Sequence, residues 1–418
     1  MIQRNFFHNI LYILFFLSIA IAGTGKVSGI VTSKETGEPL PGVNVFISET
    51  GLGSATDLVG NFTILNISPG LYTLQISYIG YASHKIQGIR ISTDQTTRQN
   101  ISLIQEVIEG EEVVVMADRA MVQKDLTASQ TVRTAEEINE LPVESFLGVL
   151  ATQAGVNQGA DGELHIRGGR SNEIGYYIDG ISVSNPFFTN SLAINVSNKA
   201  LEELKVVSGA FNAEYGNAMS GIVNIQIKEG GPNYEGSISY YSGDYISNDT
   251  DIFTNIEDVN ISANRVLEGT LSGPMPIIGK KLTFNVSGKS TQNEGYLYGV
   301  REHKPDDFAY FPASGNWYVE MSGDSSYVAM NPRSNFHGLA KLTLRVTPTL
   351  KISTQALISQ GQWKSYVHSY KYNPDGTYNY NNNNQNYSIK INHALNERSF
   401  YEANFFQSTT DFKQYVFE

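Results

Sequence analysis

Apolar and polar residues alternate along most of this chain with the two-residue period of strands, and the places where that rhythm changes divide it into parts. Between Lys26 and about Leu103 the runs are short, as in Val43 to Ser48, Asn61 to Leu65 and Tyr72 to Tyr78. In the last of these Tyr72, Leu74, Ile76 and Tyr78 share one face and Thr73, Gln75 and Ser77 the other, which suits a sheet packed on one side. Pro39, Pro41-Gly42, Asp57 to Gly60 and Pro69-Gly70 supply the turns, at the spacing of a small β-sandwich over 26–104.

The period then lengthens. Thr134 followed by Glu137 is a capping box, and Leu141-Pro142 closes the short helix it opens. Ser145 to Ala154 is a second helix with Phe146, Val149 and Leu150 on one face and Gly155 at the stop position. Two short strands and tight turns follow, around Gly162 to Arg170 and at Ile174 to Ile178 with Asp179-Gly180, giving an α+β unit over 130–229.

After Gly230-Gly231-Pro232 the alternating runs grow longer. Leu282, Phe284 and Val286 oppose Thr283, Asn285 and Ser287; Leu342, Leu344 and Val346 oppose Lys341, Thr343 and Arg345. Seven strands are expected near 235–245, 263–273, 280–290, 335–347, 350–362, 385–394 and 399–412. A soluble sandwich would alternate in the same way, so the connections decide. Short joints at 274–279, 348–349 and 395–398 alternate with long polar ones at 246–262, 291–334 and 363–384, the signature of a transmembrane barrel with its short turns facing the periplasm. The Asn381 to Asn384 run falls in a long joint and is expected to be a solvated loop.

The N-terminus adds an address. Arg4, an apolar run from Ile10 to Ala22 and the small-x-small triplet Ala20-Ile21-Ala22 make residues 1–22 an export signal cleaved after Ala22. That run is shorter than the ~20 residues a membrane helix needs.

Composition narrows the chemistry. The 418 residues carry 29 Lys plus Arg against 41 Asp plus Glu, a net charge of -12, which speaks against a nucleic-acid binder. There is no cysteine, so a thiolate metal site, a cysteine nucleophile and a lipid-modified N-terminal cysteine are excluded. The histidines, at 8, 84, 165, 303, 337, 368 and 393, show no metal-ligand spacing, and no Ser-His-Asp context stands out. Asn248-Asp249-Thr250-Asp251 is one dense acidic step, most simply hydrated. No enzyme, cofactor or resident metal is expected.

Several motifs carry resemblances. Gly37 to Val45, Thr56-Asp57 with Gly60-Asn61-Phe62, and Pro69 to Tyr72 resemble the carboxypeptidase-regulatory-like, transthyretin-like sandwich, an accessory domain without peptidase activity. Leu164 to Gly169, Tyr177 to Ile181, and Leu201 to Lys228 with Tyr215-Gly216, Ser220-Gly221 and Val223-Asn224-Ile225 resemble the plug domain of TonB-dependent outer-membrane transporters. Between them, in a linker over 105–129, Glu112-Val113-Val114-Val115-Met116-Ala117 resembles the TonB box, which adds a strand to the periplasmic energy-coupling partner TonB. The residues alone also allow one more strand of the sandwich, or the first strand of the next domain.

The plug resemblance implies that Arg167, Gly168, Gly169, Asp179, Gly180, Tyr215, Gly216 and Gly221 hold its structure. It also exposes a departure: where the family commonly has Glu and Arg this chain has Lys205 and Ser208, and Ala210 stands in place of a Pro. Arg167 is then the expected plug cation, buried against a carboxylate of the barrel. The chain so read is mostly β: a signal peptide, a sandwich, an α+β plug, and over 230–418 the first strands of an antiparallel barrel. Because barrels of the resembling family have about 22 strands, the chain is expected to continue past Glu418. The implied protein sits in the outer membrane among its lipids, with the N-terminal domain in the periplasm, and imports a scarce nutrient of siderophore, cobalamin, glycan or peptide type. The rival is a secreted β-sandwich adhesin or glycan-binding protein.

Overall fold

The computed structural model describes residues 23–105, 112–116, 129–143, 145–159, 162–184, 196–209, 218–396 and 399–417. The export signal and Ala117, Tyr215 and Gly216 lie outside the described residues.

The first unit is a sandwich of β1 (Gly25–Ser33), β2 (Asn44–Ile47), β3 (Gly53–Ala55), β4 (Asn61–Ile67), β5 (Gly70–Ser77), β6 (Ser83–Ile91), β7 (Thr96–Arg98), β8 (Ile101–Leu103) and β9 (Glu112–Met116). One sheet runs β4-β1-β7 with β8 also on β1; the other runs β3-β2-β5-β6-β9. Val27, Val31, Val45, Phe62, Leu74 and Ile76 fill the space between them. Turn chemistry fixes the register: Asp57 Oδ1 accepts from the backbone N-H of Val59 at 3.0 Å and of Asn61 at 2.8 Å. Gly60, at φ +75°, passes so close to the Val31 carbonyl that an added Cβ would lie 2.7 Å from it.

The second unit has β10 (Ser129–Thr134), α1 (Ala135–Asn139), α2 (Phe146–Ala151), β11 (Val156–Gln158), β12 (Leu164–Ile166), β13 (Ile174–Ile178), β14 (Ile181–Ser182), β15 (Leu201–Ser208) and β16 (Gly221–Ile227). Its main sheet is ordered β10-β15-β16-β13-β14, with β13 parallel to β16. The capping box forms as expected: Thr134 Oγ1 accepts from Glu137 N at 3.4 Å and Glu137 Oε2 from Thr134 N at 3.2 Å. One face of the sheet is apolar, with Leu204, Val206, Val223 and Ile225 packed on Ile138, Phe146, Val149 and Leu150. The other face is buried but polar, carrying Glu203, Lys205, Asn224 and Gln226.

The third unit is a seven-stranded antiparallel sheet in sequence order, from β17 (Glu235–Gly243), β18 (Asn264–Met275) and β19 (Gly279–Asn293) onward. Two small hairpins then intervene, β20 (Tyr298–Val300) with β23 (Tyr327–Ala329) and β21 (Ala309–Tyr310) with β22 (Tyr318–Val319). The sheet resumes with β24 (Arg333–Arg345), β25 (Leu350–Lys364), β26 (Asn379–Asn396) and β27 (Ser399–Tyr415). Its faces are inverted relative to a water-soluble sheet. Asn285, Thr343, Gln355 and Asn384 are buried toward the second unit, whereas Ile238, Leu267, Val286, Ile389 and Phe405 are exposed on the outside.

Two expectations change. Asn381 to Asn384 is part of β26, paired with Gln362 to Ser359 on one side and Lys413 to Thr410 on the other. Asparagine is a poor strand former, but ladder bonds to both neighbours outweigh that preference, and Asn384 is buried inside. Glu112 to Met116, expected within a linker, is the fifth strand of a sandwich sheet, lying parallel to β6 from Ser83↔Glu112 to Gln87↔Met116. A β-branched triplet finds a sheet edge in its own chain.

Candidate functional site

The described plug residues gather around turns that demand unusual backbone. Asp179 and Gly180, at φ +49° and +86°, form the two-residue loop between Ile178 and Ile181, the type I′ geometry that an Asp-Gly pair favours. Arg167 and Gly168 are also at positive φ, +49° and +77°, where the chain turns out of β12. Gly169 and Gly221 are required by contact. A Cβ on Gly169 would lie 2.3 Å from the Ser220 Cβ, and one on Gly221 2.6 Å from the Ile166 side chain.

The expected burial of Arg167 against a barrel carboxylate is not found. The turn that gives Arg167 its positive φ leaves its side chain exposed, and among the described residues it makes no ion pair. Asp179 takes that place with the charges reversed. Its Oδ2 accepts from Lys341 Nζ of β24 at 2.8 Å, its Oδ1 from the Ile227 N-H at 3.1 Å, and Lys341 also donates to the Ile227 carbonyl at 3.0 Å. Both side chains are under a tenth exposed, so each needs the other. Lys390 of β26 adds a 3.4 Å bond to the Asp179 carbonyl. Sequence supplied one half of this pair, the Asp-Gly turn, but not the partner: Lys341 alternates like any inward strand residue.

Two further carboxylates fix the plug and its exit segment. Glu268 of β18 accepts from Ser197 and pairs with Lys199 at 3.6 Å. Glu229, just before β17, pairs with Arg345 at 2.9 Å and Lys351 at 2.7 Å. Burial works against the charged Glu229, but Lys351, Lys341 and Arg345 outweigh it and hold its carboxyl well below the usual carboxylate range. Lys351 also donates to the Ser68 hydroxyl, so the sandwich meets the sheet here.

The sandwich touches the plug at two more points, neither foreseen in the sequence. Glu203 Oε1 accepts from the Thr93 N-H at 3.1 Å, while Lys205 Nζ donates to the Thr93 carbonyl at 3.2 Å and to Asp94 Oδ2 at 3.0 Å. Arg90, near the end of β6, lies 2.7 Å from Glu136 of α1 and 3.7 Å from Glu202 of β15. Burial pushes the Glu202 carboxyl up to about 7, against the pull of Lys228 and Arg90. Lys205, a departure from the plug pattern, thus has a partner in the sandwich. A cavity of about 630 Å³ remains where the three units meet, lined by Glu49, Tyr72, Glu202, Glu229, Lys351 and Lys390 among others.

In β9, Val114, Val115 and Met116 are exposed, at 54, 42 and 69%. The strand is last in its sheet, so one edge bonds to β6 and the other has no neighbour among the described residues.

Comparison with known proteins bears on two of the units. Residues 27–115 match the CarboxypepD_reg-like domain and residues 122–222 the TonB-dependent Receptor Plug Domain. The chain is 24% identical over 242 residues to the TonB-dependent transporter Oar of Myxococcus xanthus, covering 54% of this chain and 22% of that protein. It is 32% identical over 218 residues to the TonB-dependent receptor P26 of Formosa agariphila, covering 49% and 21%. With the TonB-dependent receptor SusC of Bacteroides thetaiotaomicron it shares 30% over 259 residues, covering 57% and 25%. The chain thus spans about a fifth to a quarter of the length of these relatives. The siderophore receptor PirA from Pseudomonas aeruginosa superposes with a TM-score of 0.46 at 20% identity, over 68% of this chain and 41% of that one.

Proposed function

We propose that this chain, which carries a TonB-dependent receptor plug domain behind a CarboxypepD_reg-like domain, works in the outer membrane as a receptor that imports a scarce nutrient by energy-coupled remodelling of its plug. The observation that carries this is the inverted sheet. A face of Asn285, Thr343 and Gln355 is buried on the plug while Ile238, Val286, Ile389 and Phe405 face outward, an arrangement that costs free energy in water and is stable against lipid. The long joints, with the hairpins β20 to β23, lie at one end of the sheet, and the sandwich contacts at Ser68 lie at the other. That supports placing the loops on the extracellular side and the sandwich in the periplasm.

In this scheme the ligand binds over the plug and loops, and β9 is the strand that TonB engages. Backbone groups on the free edge of β9 carry that contact, so the side chains of Val113 to Val115 serve mainly to keep it extended. Val114→Pro removes a donor and obstructs pairing, whereas Val114→Ile keeps both. Binding of the purified periplasmic domain of the host's TonB to the detergent-extracted protein should survive Val114→Ile and fall at least tenfold with Val114→Pro. Equal binding by both variants would remove β9 from the scheme. Heat-modifiable migration and release from membranes only by detergent support the barrel; release by salt or carbonate would favour the secreted adhesin.

A further inference from the structure

The sandwich occupies a particular mechanical position. β9 is bonded along Ser83 to Gln87 of β6, and the same strand, a few residues on, carries Arg90, which grips Glu136 and Glu202 of the plug. Immediately after β6 the Thr93-Asp94 turn is held between Glu203 and Lys205, which are 2% and 5% exposed. Both grips are charge-assisted, and the second is buried, where such bonds are strongest.

Two routes therefore connect β9 to the plug. One is the peptide chain from Met116 to Ser129, 129 − 116 = 13 Cα steps, which extends to about 45 Å before it is taut. The other runs through the β9–β6 ladder and the grips at Arg90 and Asp94, all closed already. When two links share a load, the one without slack bears it first.

We propose that the sandwich is the force-bearing coupler between β9 and the plug: a pull on β9 reaches α1 and β15 through β6, Arg90 and the Thr93-Asp94 turn, and the connecting chain is only the reserve. This gives the CarboxypepD_reg-like domain a function of its own, and it rests on the assignment of β9 as the TonB-engaging strand. It also explains Lys205, which is placed to hold Asp94 where the plug pattern commonly has Glu.

The test is force spectroscopy on the full protein in lipid nanodiscs, with the scaffold held on a surface. The chain has no cysteine, so Met116→Cys is a unique handle on an exposed position. In the otherwise wild-type protein the force should rise within about 10 Å of extension, because the ladder to β6 and the grips at Arg90 and Asp94 are already closed. Ser68→Ala/Arg90→Gln/Asp94→Asn loosens the grips from the sandwich side and leaves plug and sheet native; the rise should then come later, by at most the about 45 Å that the connecting chain can extend. Asn suits the positive φ of Asp94. Val114→Pro/Val115→Pro takes a donor from each edge of β9, so it opens the ladder to β6 at the other end of the route and should delay the rise as well, and an ill-folded triple variant does not decide the matter. A rise at the same extension in all three proteins, or a late rise in wild type, overturns the coupler. Failure of the TonB domain to bind the wild-type protein would instead remove β9 as the engaged strand, an outcome the force curve does not touch.

Discussion

Removing the Lys341 ammonium should loosen the plug more than any surface charge can. Lys341→Met keeps length and packing but leaves the Asp179 carboxylate buried with the Ile227 N-H and no adjacent cation at 2.8 Å. Breaking a buried pair in this way costs about 3–5 kcal/mol. Lys390, 3.4 Å from the Asp179 carbonyl, supplies residual positive potential, so the lower end applies, about 3 kcal/mol. Asp179→Asn in the same background relieves most of it, since Asn accepts the φ of +49° and its oxygen can still take the Ile227 N-H. The assay is amide hydrogen exchange along β13 and β16 in the lipid-embedded protein, which reports local opening: Lys341→Met should accelerate it on the order of a hundredfold, and the cycle with Asp179→Asn should show coupling of about 2 kcal/mol. Acceleration below about fivefold, or additive single effects, would refute the assignment of Asp179–Lys341 as the plug-to-sheet clamp.

Two further outcomes follow from the same geometry. The Glu202 carboxyl titrates near 7 in the folded protein against 4.5 for an unburied group, so the fold binds a proton that the unfolded chain gives up, and stability falls as pH rises from about 4.5 through 7. Glu202→Gln should therefore raise thermal stability at pH 8, by about 1–2 kcal/mol after allowing for its remaining exposure, and leave it unchanged at pH 4; a gain of equal size at both pH values would count against burial as the cause. Gly221→Ala places a Cβ 2.6 Å from Ile166 Cδ1 and should cost about 1–3 kcal/mol in plug stability. Ile166→Val, which deletes that atom, should recover part of the loss in the double variant, and no recovery would locate the strain elsewhere.

Local chemistry was legible in the sequence, and long-range partnership was not. The capping box at Thr134 and Glu137, the Asp57 turn, and the Asp179-Gly180 loop each depend on residues two to four apart, and each forms as expected. The seven long strands and their alternating joints were also readable, because alternation and turn residues mark them without reference to a partner. What the inward face meets is a different matter. Lys341, Glu203 and Lys205 sit in regular strand patterns, and only the Asp179 and Thr93-Asp94 turns, more than a hundred positions away, make them ionic grips. Arg167 was the expected plug cation because Ser208 stands where the family commonly has Arg, yet its side chain is exposed and makes no ion pair among the described residues. The Asn381 to Asn384 run misled through composition, since two flanking strands satisfy its backbone and turn a loop-like stretch into ladder. β9 could be read either as a coupling strand or as a sandwich strand, and its parallel pairing to β6 shows that the sandwich takes it in.

The length of chain between Met116 and Ser129 also sets how tightly the sandwich must hold the plug. Once released there, the domain is still confined within about 45 Å of its tether point, which corresponds to a local concentration on the order of 5 mM. Grips that would bind at only ~0.5 mM between separate molecules would thus be closed about nine-tenths of the time within this one. Arg90, Thr93 and Asp94 need not be an affinity interface at all; contacts weak enough to part on each cycle still close again afterwards, because their partner never leaves the neighbourhood.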